Sequence, residues 1–114
     1  MLEFQQRTIE PGVTVLSLSG KMHLGNRLSD AENAVSAIIE SGQRKLVLDL
    51  ANVAYIDSAA LGMLLVSTGK MQSAGGKLIL AAAAQRVLDL IQMTKTSAVL
   101  TLAGSVEAAV ASLA

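Results

Sequence analysis

Leu46-Val47-Leu48-Asp49-Leu50 is an almost unbroken apolar run. A strand with so little alternation belongs inside a sheet that is covered on both faces. After a polar break at Asn52, the pair Asp57-Ser58 stands directly before Leu61, Leu64, Leu65, Thr68 and Met71, which share one side of a helix. A polar pair thus lies where a central strand gives way to a helix. The first amides of a helix have no internal partner and point outward, and open α/β sheets tend to place their chemistry at such junctions.

The rest of the chain builds around that strand. Leu2, Phe4 and Ile9 suggest a first strand, Glu10-Pro11-Gly12 supplies a turn, and Val13 to Ser19 reads as a second strand rich in β-branched residues. The two make an antiparallel hairpin. Gly20 to Gly25 reads as a loop. It leads to a helix whose apolar face is Leu28, Ala31, Val35, Ile38 and Ile39, with Asn26 or Ser29 as its cap and Gly42 just past its end.

The helix after Ser58 should run to about Ala74, with Gly62 and Gly69 on nearly the same face. Each glycine costs about 1 kcal/mol against alanine, which suits close packing on a sheet or the approach of a partner to the helix backbone. Lys77–Ala81 reads as a strand and Gln85–Met93 as a short helix with Val87, Leu88 and Ile91 inward. Ala98–Leu102 reads as a final strand, and Ser105 as the cap of a last helix that buries Val106, Ala109, Val110 and Leu113. The expected fold is one α/β domain over residues 1–114, a single mixed sheet of four to five strands with packed helices.

Several function classes fall away on composition. Nine basic and nine acidic residues give no net charge, so neither nucleic acid nor an anionic membrane is an expected partner. With one Phe, one Tyr and no Trp the core is aliphatic and no base-stacking platform exists. Cysteine is absent and His23 is the single histidine, which removes thiol chemistry and any multi-histidine metal site. No apolar run reaches the roughly 18 residues of a membrane span, and the N-terminus does not look like a signal, so the default expectation is a soluble cytoplasmic domain.

By pattern alone Ser58 reads as a helix N-cap. Its second reading is a phosphorylation site, where a phosphate adds nearly two negative charges at the positive end of a helix. Asp57 beside it opposes those charges, and an acidic or apolar partner surface would reject them. A serine-hydrolase reading fails, because no Gly-x-Ser-x-Gly elbow surrounds Ser58 and His23 is the only available imidazole. Gly75-Gly76-Lys77 closes a helix and is no phosphate loop. Asp49 reads as a strand-end residue or a partner of Arg44 or Lys45. Asn52 reads as a local side-chain-to-backbone bond, and Met63, Met71 and Met93 as core or interface filler.

Val47-Leu48-Asp49-Leu50, then Val53, then Ile56-Asp57-Ser58-Ala59-Ala60-Leu61-Gly62, resembles the signature of STAS domains, in particular the bacterial anti-sigma factor antagonists. The likeness extends over the chain, through Gly20, Gly75-Gly76-Lys77-Leu78, the stretch from Val87 to Thr94, and Val106-Glu107-Ala108-Ala109. It implies a non-enzymatic switch protein; the oligomeric state stays open, with a monomer as the default expectation. The unphosphorylated form would bind an anti-sigma factor that is also a serine kinase, and so release a sigma factor. Phosphorylation at the position of Ser58 would end that binding, and a PP2C-type phosphatase would restore it. Asp57 is implied as a contact residue near the switch, with Ala59, Ala60, Leu61 and Gly62 as the turn presented to the partner. ATP and magnesium belong to the kinase, so the chain needs no cofactor of its own.

One position departs from the family pattern. Many antagonists carry an acidic residue in the loop after the second strand, where this chain has His23. An imidazole changes the charge offered to a partner there. Its plainer reading is a solvated loop residue. Two other jobs fit the same chain: a STAS scaffold or accessory subunit of a stress-signalling complex or transporter, and a small-ligand or nucleotide-binding module.

Overall fold

The computed structural model describes residues 1–9 and 12–114. The expected turn at Glu10-Pro11 lies outside these, and its third residue, Gly12, has φ +79°. The strands are β1 Glu3–Ile9, β2 Val13–Met22, β3 Lys45–Ile56, β4 Lys77–Ala81 and β5 Leu102–Ala103. The helices are α1 Leu28–Glu40, α2 Ser58–Ser73, α3 Gln85–Met93 and α4 Val106–Leu113, with a 3-10 turn at Thr96–Ala98. The sheet order is β1-β2-β3-β4-β5. β1 and β2 pair antiparallel, while β2, β3, β4 and β5 run parallel. This is the single mixed sheet that the sequence implied.

The apolar run of β3 is explained by cover on both faces. Leu46, Leu48 and Leu50 join Leu16, Leu18, Leu78 and Leu80 against buried residues of α1, α2 and α3. Val47 points the other way and joins Val13, Val15 and Ile79 under Ala109 and Leu113 of α4. Three helices thus pack on one face and α4 on the other.

β3 does not stop at Asn52. It continues to Ile56 through two register shifts against β2, each of which places an extra residue on β3. Buried positions there fall at Leu50, Val53 and Ile56, a spacing of three where a regular strand has two. Asp49 supports the first irregularity. Its Oδ2 accepts from Ser17 Oγ at 3.0 Å and its Oδ1 from the Ala51 amide at 3.1 Å. It pairs with neither Arg44 nor Lys45. Asn52 is an exposed strand residue with no side-chain hydrogen bond among the described residues, so the local bond expected of it is absent.

Both long helices end alike. The Gly42 amide donates to Ile39 and the Gln43 amide to Ile38, closing α1. The Gly75 amide donates to Gln72 and the Gly76 amide to Met71, closing α2. Gly42 and Gly75 take φ +97° and +89°, the left-handed conformation that this closure needs. A Cβ on Gly76 would sit 2.5 Å from Met71 Sδ and overlap the Arg44 carbonyl.

Three boundaries differ from expectation. β2 runs on through Gly20 and Lys21 to Met22, paired with β3, where the sequence pattern predicts a loop. α1 starts at Leu28 on Arg27, which has φ 60° and gives no side-chain cap. Asn26 instead accepts from the Leu2 amide and donates to the Lys21 carbonyl, which ties the N-terminus to the β2–α1 loop. Ala98–Leu102 is mostly not a strand. Lys95 at φ 59° turns the chain into the 3-10 segment, and Leu100 is buried as a core plug, leaving only Leu102–Ala103 to pair with β4. Met93 is 80% exposed at the end of α3, whereas Met63 and Met71 are core residues.

Candidate functional site: the first turn of α2

β3 delivers the chain to Asp57, whose amide donates to the Met22 carbonyl at the end of β2 at 3.1 Å. Asp57 is extended (φ −102°, ψ −178°) and is itself the N-cap of α2. Its Oδ1 accepts from the Ala60 amide at 2.8 Å, and its Oδ2 accepts from the Leu24 amide at 3.0 Å. One carboxylate therefore caps the helix and fastens the β2–α1 loop to it. A serine hydroxyl, with a single oxygen, is less suited to that double duty.

This corrects the cap reading of Ser58. Ser58 is the first helical residue, exposed, and its hydroxyl has no hydrogen-bond partner among the described residues. The cap is the last residue before helical geometry begins, and here that residue is Asp57.

Partial burial works against ionisation of Asp57. The amide hydrogen bonds from Ala60 and Leu24 and the nearby His23 outweigh it and hold the carboxyl below its ordinary value of 3.8. His23 is half-buried in the loop that Asp57 clamps, with Nδ1 3.0 Å from the Leu24 carbonyl oxygen. The imidazole thus stands beside the Asp57 carboxylate.

The structure brings the sequence-nominated residues into one turn and gives them different faces. Ser58 is exposed, Ala59 and Gly62 are half-buried, and Ala60 and Leu61 are buried beneath the turn and position it. A Cβ on Gly62 or Gly69 would meet nothing within 4 Å. Close packing on the sheet therefore does not explain either glycine, and open space above the helix backbone remains.

The turn borders a groove on each side. One is lined by Leu24, Leu28 and Glu32 with Ala59, Gly62 and Val66. The other is lined by Tyr55, Asp57 and Ser58 with Arg86, Asp89 and Met93. Leu24 and Met93 are large apolar side chains at 76% and 80% exposure, one in each groove. Leu24, Tyr55 and Arg86 went unnoticed in the sequence, whereas Met93 reads there as core or interface filler. Only Leu24, an apolar residue in a glycine-bounded loop, carried any local signal. Among the described residues no group of acidic and histidine side chains could hold a metal ion, and no helix is long and apolar enough to cross a membrane.

Comparison with known proteins identifies the family to which this fold belongs. The STAS domain family model matches residues 5–109. BtrV of Bordetella bronchiseptica, a candidate anti-sigma factor antagonist, is 28% identical over 88% of this chain and 85% of its own length. An anti-sigma factor antagonist from Mycobacterium paratuberculosis superposes with a TM-score of 0.88 at 21% identity, over 99% of this chain and 94% of that one. The Bacillus cell fate determinant SpoIIAA, solved in its phosphorylated form, gives 0.76 at 16% identity, over 98% and 100%. A sulfate transporter family protein from Wolinella succinogenes gives 0.80 at 18%, over 94% and 88%. The chain belongs to the STAS domain family, and its relatives by sequence and fold include anti-sigma factor antagonists.

Proposed function

We propose that this chain is a phosphorylation-switched anti-sigma factor antagonist. Unphosphorylated, it binds an anti-sigma factor serine kinase and so releases a sigma factor. The kinase transfers the γ-phosphoryl group of ATP to Ser58 Oγ, with ADP and the hydroxyl proton as the other products. A PP2C-type phosphatase hydrolyses the phosphoserine and restores the binding form. The chain itself performs no catalysis and acts in the cytoplasm.

The observation that carries the reading is the division of labour between Asp57 and Ser58. Because Asp57 holds the cap, the Ser58 hydroxyl is exposed and unengaged, and modifying it removes no bond that the fold uses. The amides of Ser58 and Ala59 belong to the unpartnered first turn and favour a phosphate electrostatically, while the Asp57 carboxylate makes the local charge strongly negative. A partner seated on Ser58, Ala59 and Gly62 would meet that charge at its centre. Support also comes from the relatives, one of which is known in a phosphorylated form.

Calorimetry against the cognate kinase tests this reading. Ser58→Ala should bind like the native chain, and Ser58→Asp should bind at least about tenfold more weakly, as desolvated like charges do. Equal affinities would refute the switch and favour a constitutive interface, as in an accessory domain of a transporter.

A further inference from the structure

Arg86, near the start of α3, holds its guanidinium 5.9 Å from the centre of the Tyr55 ring. Arg86 and Tyr55 line the same cleft as Ser58 and Asp57, together with Asp89. Asp89 does not engage Arg86; its Oδ1 accepts from the Gln85 side-chain amide at 2.8 Å. The ion pairs among the described residues are Arg27–Asp30 and Lys70–Glu32, so Arg86 has no carboxylate partner. Among the described residues it is the sole cation lining the cleft, resting on an aromatic face beside an exposed hydroxyl.

We propose that Arg86 is the internal receiver of a phosphate on Ser58. The guanidinium leaves Tyr55 and donates to the phosphoserine oxygens, tying α3 to the first turn of α2. This inference rests on the reading of Ser58 as the phosphoacceptor. Its physical basis is a difference between two holds. A cation over an exposed ring is weakly held, whereas a planar guanidinium facing a dianion forms paired, charge-assisted hydrogen bonds. Asp57 and Asp89 flank the cleft with negative charge, and His23 stands on the loop side of Asp57, so Arg86 is the group placed to offset the phosphate. Phosphorylation would then change shape as well as charge, since the departing guanidinium uncovers Tyr55 next to Met93.

The test places phosphoserine at position 58 during translation, so it does not depend on any kinase, and follows its second ionisation by phosphorus NMR. In the native chain that ionisation should fall about half a unit below its value in Arg86→Gln, because a nearby cation favours the dianion. Arg86→Lys, which keeps the charge, should restore part of the shift. Lys77→Gln, a charge removed at the opposite end of the parallel strands, should leave the native value unchanged. Coincident titrations of the native chain and Arg86→Gln would overturn the proposal. So would an equal loss of the shift in Lys77→Gln, which would indicate a general field. Failure of a kinase to modify Ser58 would refute the switch instead, and leaves this titration a separate result.

Discussion

Asp57 Oδ2 accepts the Leu24 amide at 3.0 Å, so the residue that caps α2 also holds the β2–α1 loop in place. Asp57→Ala should destabilise the domain by about 1–2 kcal/mol, at the upper end of cap losses, because both acceptors vanish. Asp57→Asn keeps one acceptor oxygen and should cost less. Urea unfolding of the two variants checks the order, and equal losses would mean that the acceptor the asparagine retains contributes nothing.

Ser58 and Ser105 should behave oppositely on truncation. Ser105 Oγ accepts from the Ala108 amide at 3.0 Å and caps α4, so Ser105→Ala should cost about 1 kcal/mol. Ser58→Ala should change stability by less than about 0.5 kcal/mol, as an exposed residue outside any cap does. Thermal melts of the pair decide the cap assignment without any partner protein.

The acid limb of the stability curve should report Asp57. Its carboxyl is held below 3.8 in the folded state, so folding favours the ionised form. That contribution is fully present above the unfolded value and is lost as pH falls through the lowered one. Urea midpoints followed from about pH 6 to about pH 2.5 should therefore drop less steeply in Asp57→Asn than in the native chain. Parallel curves would show that the hydrogen-bonded carboxylate adds no acid sensitivity.

The glycines separate packing from function. Gly76→Ala forces a methyl against the Arg44 carbonyl and Met71, and should cost about 2–3 kcal/mol, as overpacking does. Gly62→Ala enters open space and should stabilise α2 by up to about 1 kcal/mol. If the kinase approaches the helix backbone there, the same methyl should weaken binding. A variant that is both more stable and a poorer binder would locate the interface on that turn.

Much of this architecture is legible in the residues. β4 and α3 start and end where the local pattern places them, and Gly42 and Ser105 fill the closing and capping positions their types suggest. What escaped depends on backbone geometry or distance. The second half of β3 buries every third residue because of its irregular pairing with β2, a spacing that matches neither strand nor helix templates. The exchange of roles between Asp57 and Ser58 follows from one residue's dihedral angles, which two adjacent capping types cannot distinguish. Arg86 meets Tyr55 and the Ser58 cleft only through the packing of α3, and no spacing rule connects them.

The most direct measurement is phosphopeptide mapping by mass spectrometry after incubation with the cognate anti-sigma factor kinase, ATP and magnesium. A single phosphate should appear on Ser58, and Ser58→Ala should remain unmodified. Phosphate on another residue, with Ser58 left bare, would contradict the account.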